Sequence, residues 1–185
     1  MKGFVFCLLM VFVLALSACG SSSTTAAPPI PTPTQMTNHY TVKLSALNGS
    51  GVSGTVDLRL TGKILAVTVN VTGLAPNKIH FQHIHGSHDA ASTCPTVADA
   101  NASGMITVDR ALPKIGPVAF SFAPYAPADL HGGVRWSKTF VLDSGVLWAI
   151  TPLVQHVVVF HGMTSQGVYD NVLPVACGPI TAVSG

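Results

Sequence analysis

The stretch SGTVDLRLTGKILAVTVNVTGL, residues 53 to 74, decides the fold class. Val56, Leu58 and Leu60 alternate with polar neighbours, a TGK turn follows, and Leu65, Val67, Val69 and Val71 alternate again. Period-two alternation on either side of a short Gly-containing turn is the signature of an antiparallel hairpin with one buried face. Working outward, HYTVKLSAL (39–47) supplies an alternating run before it and KIHFQHIHG (78–86) a fourth strand after it. Further along, MITVDRAL, PVAFSF, RWSKTFVL, GVLWAI, QHVVVFHGM and PVACGPITAV are expected to be strands. No stretch carries a sustained 3.6-residue apolar period. Eight or nine short strands predict an all-β Greek-key barrel or sandwich.

Upstream of that domain the sequence changes character twice. MKGFVFCLLMVFVLALSACG has a lysine, a short apolar run and small residues, which is a targeting pattern. Its LSAC ending is similar to a bacterial lipoprotein signal. Residues 1–18 would then be the signal peptide, with Cys19 lipidated and anchoring the chain to a membrane, outside the cytoplasm. Residues 19–38 are rich in Ser, Thr and Pro and are expected to form a tether. The β domain would be residues 39–185.

Composition narrows the partners. The chain is 48% hydrophobic and only 9% charged, with a net charge of +2 and no basic cluster. Nucleic acid is therefore not an expected partner. Of the four cysteines, Cys7 leaves with the leader and Cys19 is the lipid site, leaving Cys94 and Cys177. In an oxidising compartment those two most simply form a disulfide.

HFQHIHG, residues 80–86, holds three of the eight histidines. In a strand, His83 and His85 project to one face, with Ile84 turned away. A third imidazole from another strand would complete a metal site, and His161 at the end of VVVFHGM is the candidate. Three neutral imidazoles suit copper or zinc. His88, in the loop that follows, is a possible fourth ligand. Asp99 and Asp129 are expected in turns, and Trp136 and Trp148 in the core or on a sheet face.

These segments together resemble the copper–zinc superoxide dismutases. GVSGTVDLRL and VTVNVTGLAPNKIHFQHIH match one end of the family pattern, and the V-V-H-like strand and VACGPI match the other. The resemblance covers residues 41–94 and 156–182. It implies a Greek-key barrel, copper on His83, His85 and His161, a bracing role for His80 and a Cys94–Cys177 bridge. The family's bridging histidine and zinc ligands have no counterpart after Cys94, where PTVADANASGM follows, so zinc is not expected. The family's guiding arginine is replaced by Pro174. The resemblance thus implies a membrane-anchored copper-binding domain, with superoxide or copper as its small ligand and weak or absent dismutation. GLAPNKIHFQHIHG also resembles the CHRD domain, which would instead make the chain a metal-free binding or structural module of the cell envelope.

Overall fold

In the computed structural model, residues 36–184 are described; Cys19, the leader and most of the tether lie outside them. Eight antiparallel strands form one curled sheet. They are β1 (Thr37–Ala46), β2 (Ser53–Thr61), β3 (Ile64–Thr72), β4 (Gln82–His85), β5 (Val118–Ser121), β6 (Val134–Val141), β7 (Val157–Ser165) and β8 (Val168–Ala182). Their order across the sheet is β5-β4-β7-β8-β1-β2-β3-β6. Long β8 pairs with both β7 and β1 and so joins the two halves. The all-β fold expected from sequence is the fold observed.

The hairpin of residues 53–74 forms in the expected register, Thr61 opposite Ile64 across Gly62 and Lys63. Val56, Leu58, Leu60, Leu65, Val67, Val69 and Val71 are all buried and enter the main core with Ile84, Phe122, Val158 and Phe160. The two edge strands do not pair. They are drawn together by side chains: Phe120 of β5 packs edge-on against Phe140 of β6, with centroids 5.2 Å apart. Lys138 of β6 donates to the carbonyls of Phe122 and Pro124, just beyond β5.

Two expected strands are helices. MITVDRAL contributes to α1 (Val108–Ile115), which buries Ala111 and Ile115, four residues apart on one face. Gly116 ends it with φ of 75°, its N–H returning to the Leu112 carbonyl. GVLWAI forms most of α2 (Ser144–Ile150), capped by Asp143, whose carboxylate accepts from the Val146 N–H at 2.9 Å. Both are short, so one buried face a turn long outweighs an apparent alternation. Trp148, expected in a strand, lies on α2 and is 57% exposed. The fourth strand is shorter than expected, covering Gln82–His85 only. Among the described residues no helix is long and apolar enough to cross a membrane.

α1 lies over the outer face of the sheet, where Ile106, Ala111 and Ile115 meet Leu47, Val157, Val159 and Cys177 in a second buried cluster. Cys94 and Cys177 form a disulfide, Cα atoms 5.7 Å apart, that ties the loop after β4 to β8. The sheet is thus covered on both faces around β7, and every residue from 157 to 162 is buried.

Candidate metal centre

β4 divides its side chains as a strand must. Gln82 and Ile84 turn into the core, and His83 and His85 turn outward. β7 runs beside it, with His83 opposite Val159 and His85 opposite Val157. His161 lies further along β7, its N–H donating to the Phe81 carbonyl at 2.9 Å. The register of β7 against β8 shifts on both sides of His161. Such a bulge re-aims a side chain. Gly162 takes φ of 106°, and a Cβ there would lie 2.2 Å from the Tyr169 hydroxyl and 3.0 Å from His80 Nδ1. The His-Gly step at 161–162 therefore requires glycine.

The three imidazoles make a nearly equilateral triangle, with centroid separations of 5.5 Å (His83–His85), 5.3 Å (His83–His161) and 5.6 Å (His85–His161). One ring nitrogen from each lies within 4.8 Å of the others. Among the described residues this is the one group of three or more His, Cys, Asp or Glu able to hold a metal ion.

Hydrogen bonds decide which nitrogens are offered. His85 Nδ1–H donates to the Gly116 carbonyl at 3.0 Å, and His161 Nδ1–H donates to the Val172 carbonyl at 2.7 Å. A carbonyl only accepts, so these two rings carry their proton on Nδ1 and present a bare Nε2. His83 is held from the opposite side: its Nε2 is 2.9 Å from the Tyr125 hydroxyl, leaving Nδ1 free. His83 Nδ1, His85 Nε2 and His161 Nε2 are all buried without a partner. Buried polar atoms are rarely left so, and three converging lone pairs are what a metal with nitrogen ligands needs.

Electrostatics keep those lone pairs available. Burial, reinforced by the neighbouring His85, pushes His83 down to about 4. Burial also pushes His161 down to about 4, against the opposing hydrogen bond to Val172. His85 is lowered by burial, again against its carbonyl bond. The rings are therefore neutral at pH 7. They line a cavity of about 160 Å³ whose other walls are Phe81, Val108, Val118 and Val172. Among the described residues no lysine or arginine lines it; the carboxylate acting on His161 is that of Asp170. Pro174 pairs with His161 across β7 and β8, where it is buried.

The other histidines lie apart from the triangle. His80 is fully buried, its Nδ1 2.9 Å from the His161 carbonyl and its Nε2 3.0 Å from the Ala75 carbonyl. It links the approach to β4 with the backbone of His161. His88 does not reach the group. It stacks on Trp148 at 4.3 Å and its Nδ1 is bonded to the Trp148 carbonyl. His156 is buried between the Pro152 and Ala149 carbonyls. His131 lies in a turn that Asp129 holds through the N–H groups of His131 and Gly133. Sequence reasoning did not find the residues that orient the rings. Tyr125 sits in a proline-rich loop, and Gly116 and Val172 act through carbonyls, which any residue carries. Gly116-Pro117 was the available signal, since it marks a helix end.

No protein-family model and no curated protein matches the chain. Solved structures do. Superoxide dismutase 5 of Candida albicans in its Cu(II) form is 12% identical, with a TM-score of 0.50, covering 80% of this chain and 94% of that one. Two single-residue variants of the same protein match at TM-scores of 0.51 and 0.50, with 11% and 12% identity. They cover 82% and 80% of this chain and 94% of their own. The chain therefore has a superoxide-dismutase-like β fold, and it carries a disulfide and a three-histidine group on the outer face of its sheet.

Proposed function

We propose that this is a copper-binding domain, anchored outside the cytoplasm through Cys19, whose dismutation of superoxide is weak or absent. The observation that supports it is the set of three buried, unpartnered nitrogens on His83, His85 and His161. Imidazole ligands suit copper. The disulfide fits an oxidising compartment.

Copper held there would supply a one-electron couple. The protein's contribution is to keep the three rings neutral, to fix their tautomers, and to surround the mouth with apolar side chains that limit water. Fast capture of an anion needs a positive field. Here the mouth is lined by Phe81, Val108, Val118 and Val172, with Asp170 nearby. Among the described residues no fourth histidine, cysteine or aspartate joins the group to hold a proton beside it. These features favour holding copper over turning over superoxide.

The test is titration of the purified, metal-free full chain with copper. One ion per chain with a nitrogen-ligand paramagnetic signal is expected, and His161→Ala is expected to weaken binding by at least about a hundredfold. Absence of stoichiometric binding, or a variant that binds like the parent, overturns the reading.

A further inference from the structure

Two of the three rings are fixed by acceptors that cannot change role. The third is not. His85 and His161 each donate to a backbone carbonyl, whereas the partner of His83 is a hydroxyl, which can donate or accept. Tyr125 is itself held. Its hydroxyl is bonded to Ser121 Oγ, which also accepts from the Ala123 N–H at 3.3 Å. Its ring packs against Phe81 with centroids 5.4 Å apart and edge-on to His83 at 6.1 Å. The loop carrying it is fastened to β6 by Lys138, through the carbonyls of Phe122 and Pro124.

Two hydrogen-bond patterns are open to this chain of groups. If Tyr125 donated to His83 Nε2, the imidazole proton would sit on Nδ1. That atom is buried and has no acceptor, so an N–H there would be left unsatisfied. If instead Nε2–H donates to the Tyr125 oxygen, the phenol O–H donates to Ser121 Oγ, which has lone pairs for both of its donors. Nδ1 is then bare and faces the two bare Nε2 atoms. The second pattern leaves no proton stranded on the buried ring nitrogen.

We propose that Tyr125, backed by Ser121, is the positioning residue that selects the Nε2–H tautomer of His83 and so presents Nδ1 to the metal. The proposal rests on the copper-binding reading for its ligand, and on hydrogen-bond geometry alone for the tautomer. Tyr125 does for one ring what the Gly116 and Val172 carbonyls do for the other two. Its difference is that a side chain can be substituted, so this ring is the adjustable one.

The experiment uses the ¹⁵N-labelled full chain, first metal-free at pH 7 and then titrated with copper. Long-range ¹H–¹⁵N histidine spectra of the parent are expected to show His83 protonated on Nε2, with His85 and His161 protonated on Nδ1. In Tyr125→Phe the ring packing on Phe81 stays and only the hydroxyl goes. His83 is expected to lose its single tautomer while the His85 and His161 signals hold, and copper affinity to fall about 10- to 100-fold. Ser121→Ala keeps the phenol but removes the acceptor for its proton. A partial tautomer shift at His83 and a smaller affinity loss are expected, and this variant decides the matter if Tyr125→Phe fails to fold. A parent His83 protonated on Nδ1, or variants with unchanged His83 signals and unchanged affinity, overturns the proposal. Failure of the parent to bind copper would sink the copper reading, while the metal-free spectra would still decide the role of Tyr125.

Discussion

The two halves of the sheet differ in kind. β1, β2, β3 and β6 are eight to ten residues long and pair in unbroken register; β2 and β3 alternate buried with more exposed positions, and β6 alternates half-buried with exposed ones. β4 and β5 are four residues each. The ladders of β4 with β5 and of β7 with β8 both slip, and β7 is buried on both faces. The regular half builds the core on one side and meets solvent on the other. The irregular half builds the core on one side and the histidine triangle on the other, so its outer face must be covered. The cover is α1, the loop after β4 and the disulfide. Regularity belongs to the scaffold, and bulges and cover belong to the site.

The largest expected break is in the cover. The disulfide spans 83 residues of sequence, for which loop-closure entropy gives about 4.5 kcal/mol, a model-dependent figure. Cys94→Ala with Cys177→Ala should lower the denaturant midpoint accordingly. Protease nicking should then begin in residues 86–107 rather than in the β2–β3 hairpin. Equal nicking of both regions would mean that the disulfide supports the whole barrel evenly.

Truncations sharpen the same contrast. Leu58, in β2, and Val159, opposite His83 on β7, are both fully buried. Leu58→Ala should cost about 3 kcal/mol of stability, yet leave copper affinity of the folded protein unchanged. Val159→Ala should cost about 2 kcal/mol and also weaken copper binding severalfold, because it loosens the surface on which His83 rests. Urea denaturation paired with copper titration separates the two. Identical binding losses would erase the distinction between scaffold and site.

Acidity probes the site half alone. His161 is buried and its pKa is lowered to about 4 from 6.5. As pH falls below 6.5 the unfolded chain takes a proton that the folded ring refuses, so stability falls with falling pH. For His161 this amounts to about 2 kcal/mol between pH 7 and pH 5. His83 adds in the same direction, reduced by its partial exposure. Metal-free protein should therefore have a lower urea midpoint at pH 5 than at pH 7, and His161→Gln should shrink the difference. A midpoint that rises on acidification would contradict the neutral triangle.

What the sequence disclosed follows the same division. The hairpin of residues 53–74 was legible because one face is solvent-exposed, and exposure writes alternation into the residues. His83, His85 and His161 were legible because strand parity and a familiar pattern pointed to them. The cover was not. α1 and α2 are too short to display a helical period, and the V-D-R-A-L run of α1 imitates alternation. Gly116-Pro117 and the Asp143 cap were the local signs against strands there. The orienting groups were also hidden, because a carbonyl from Gly116 or Val172 leaves no mark in residue type. Tyr125 acts across 42 positions of sequence, and only the closed fold brings it to His83.

The smallest expected effect tests the mouth of the site. A cation that steers superoxide makes the rate fall as salt rises. Among the described residues no cation lines this mouth, and the Asp170 carboxylate acts on His161, so no attraction for an anion is expected there. Any superoxide consumption by copper-loaded protein should therefore stay flat or rise, by less than about twofold, between 0.01 M and 0.15 M salt, where the screening length shrinks from about 30 Å to about 8 Å. Val172 offers the converse experiment. Its side chain lines the cavity and is 47% exposed, while its contact with His161 is made by the backbone carbonyl. Val172→Arg can thus add a guiding charge without removing a clamp. The variant should consume superoxide faster at low salt and lose that gain as salt is added. A parent whose rate already falls steeply with salt would show that some other positive group serves the mouth, and the apolar rim would then not be what limits the site.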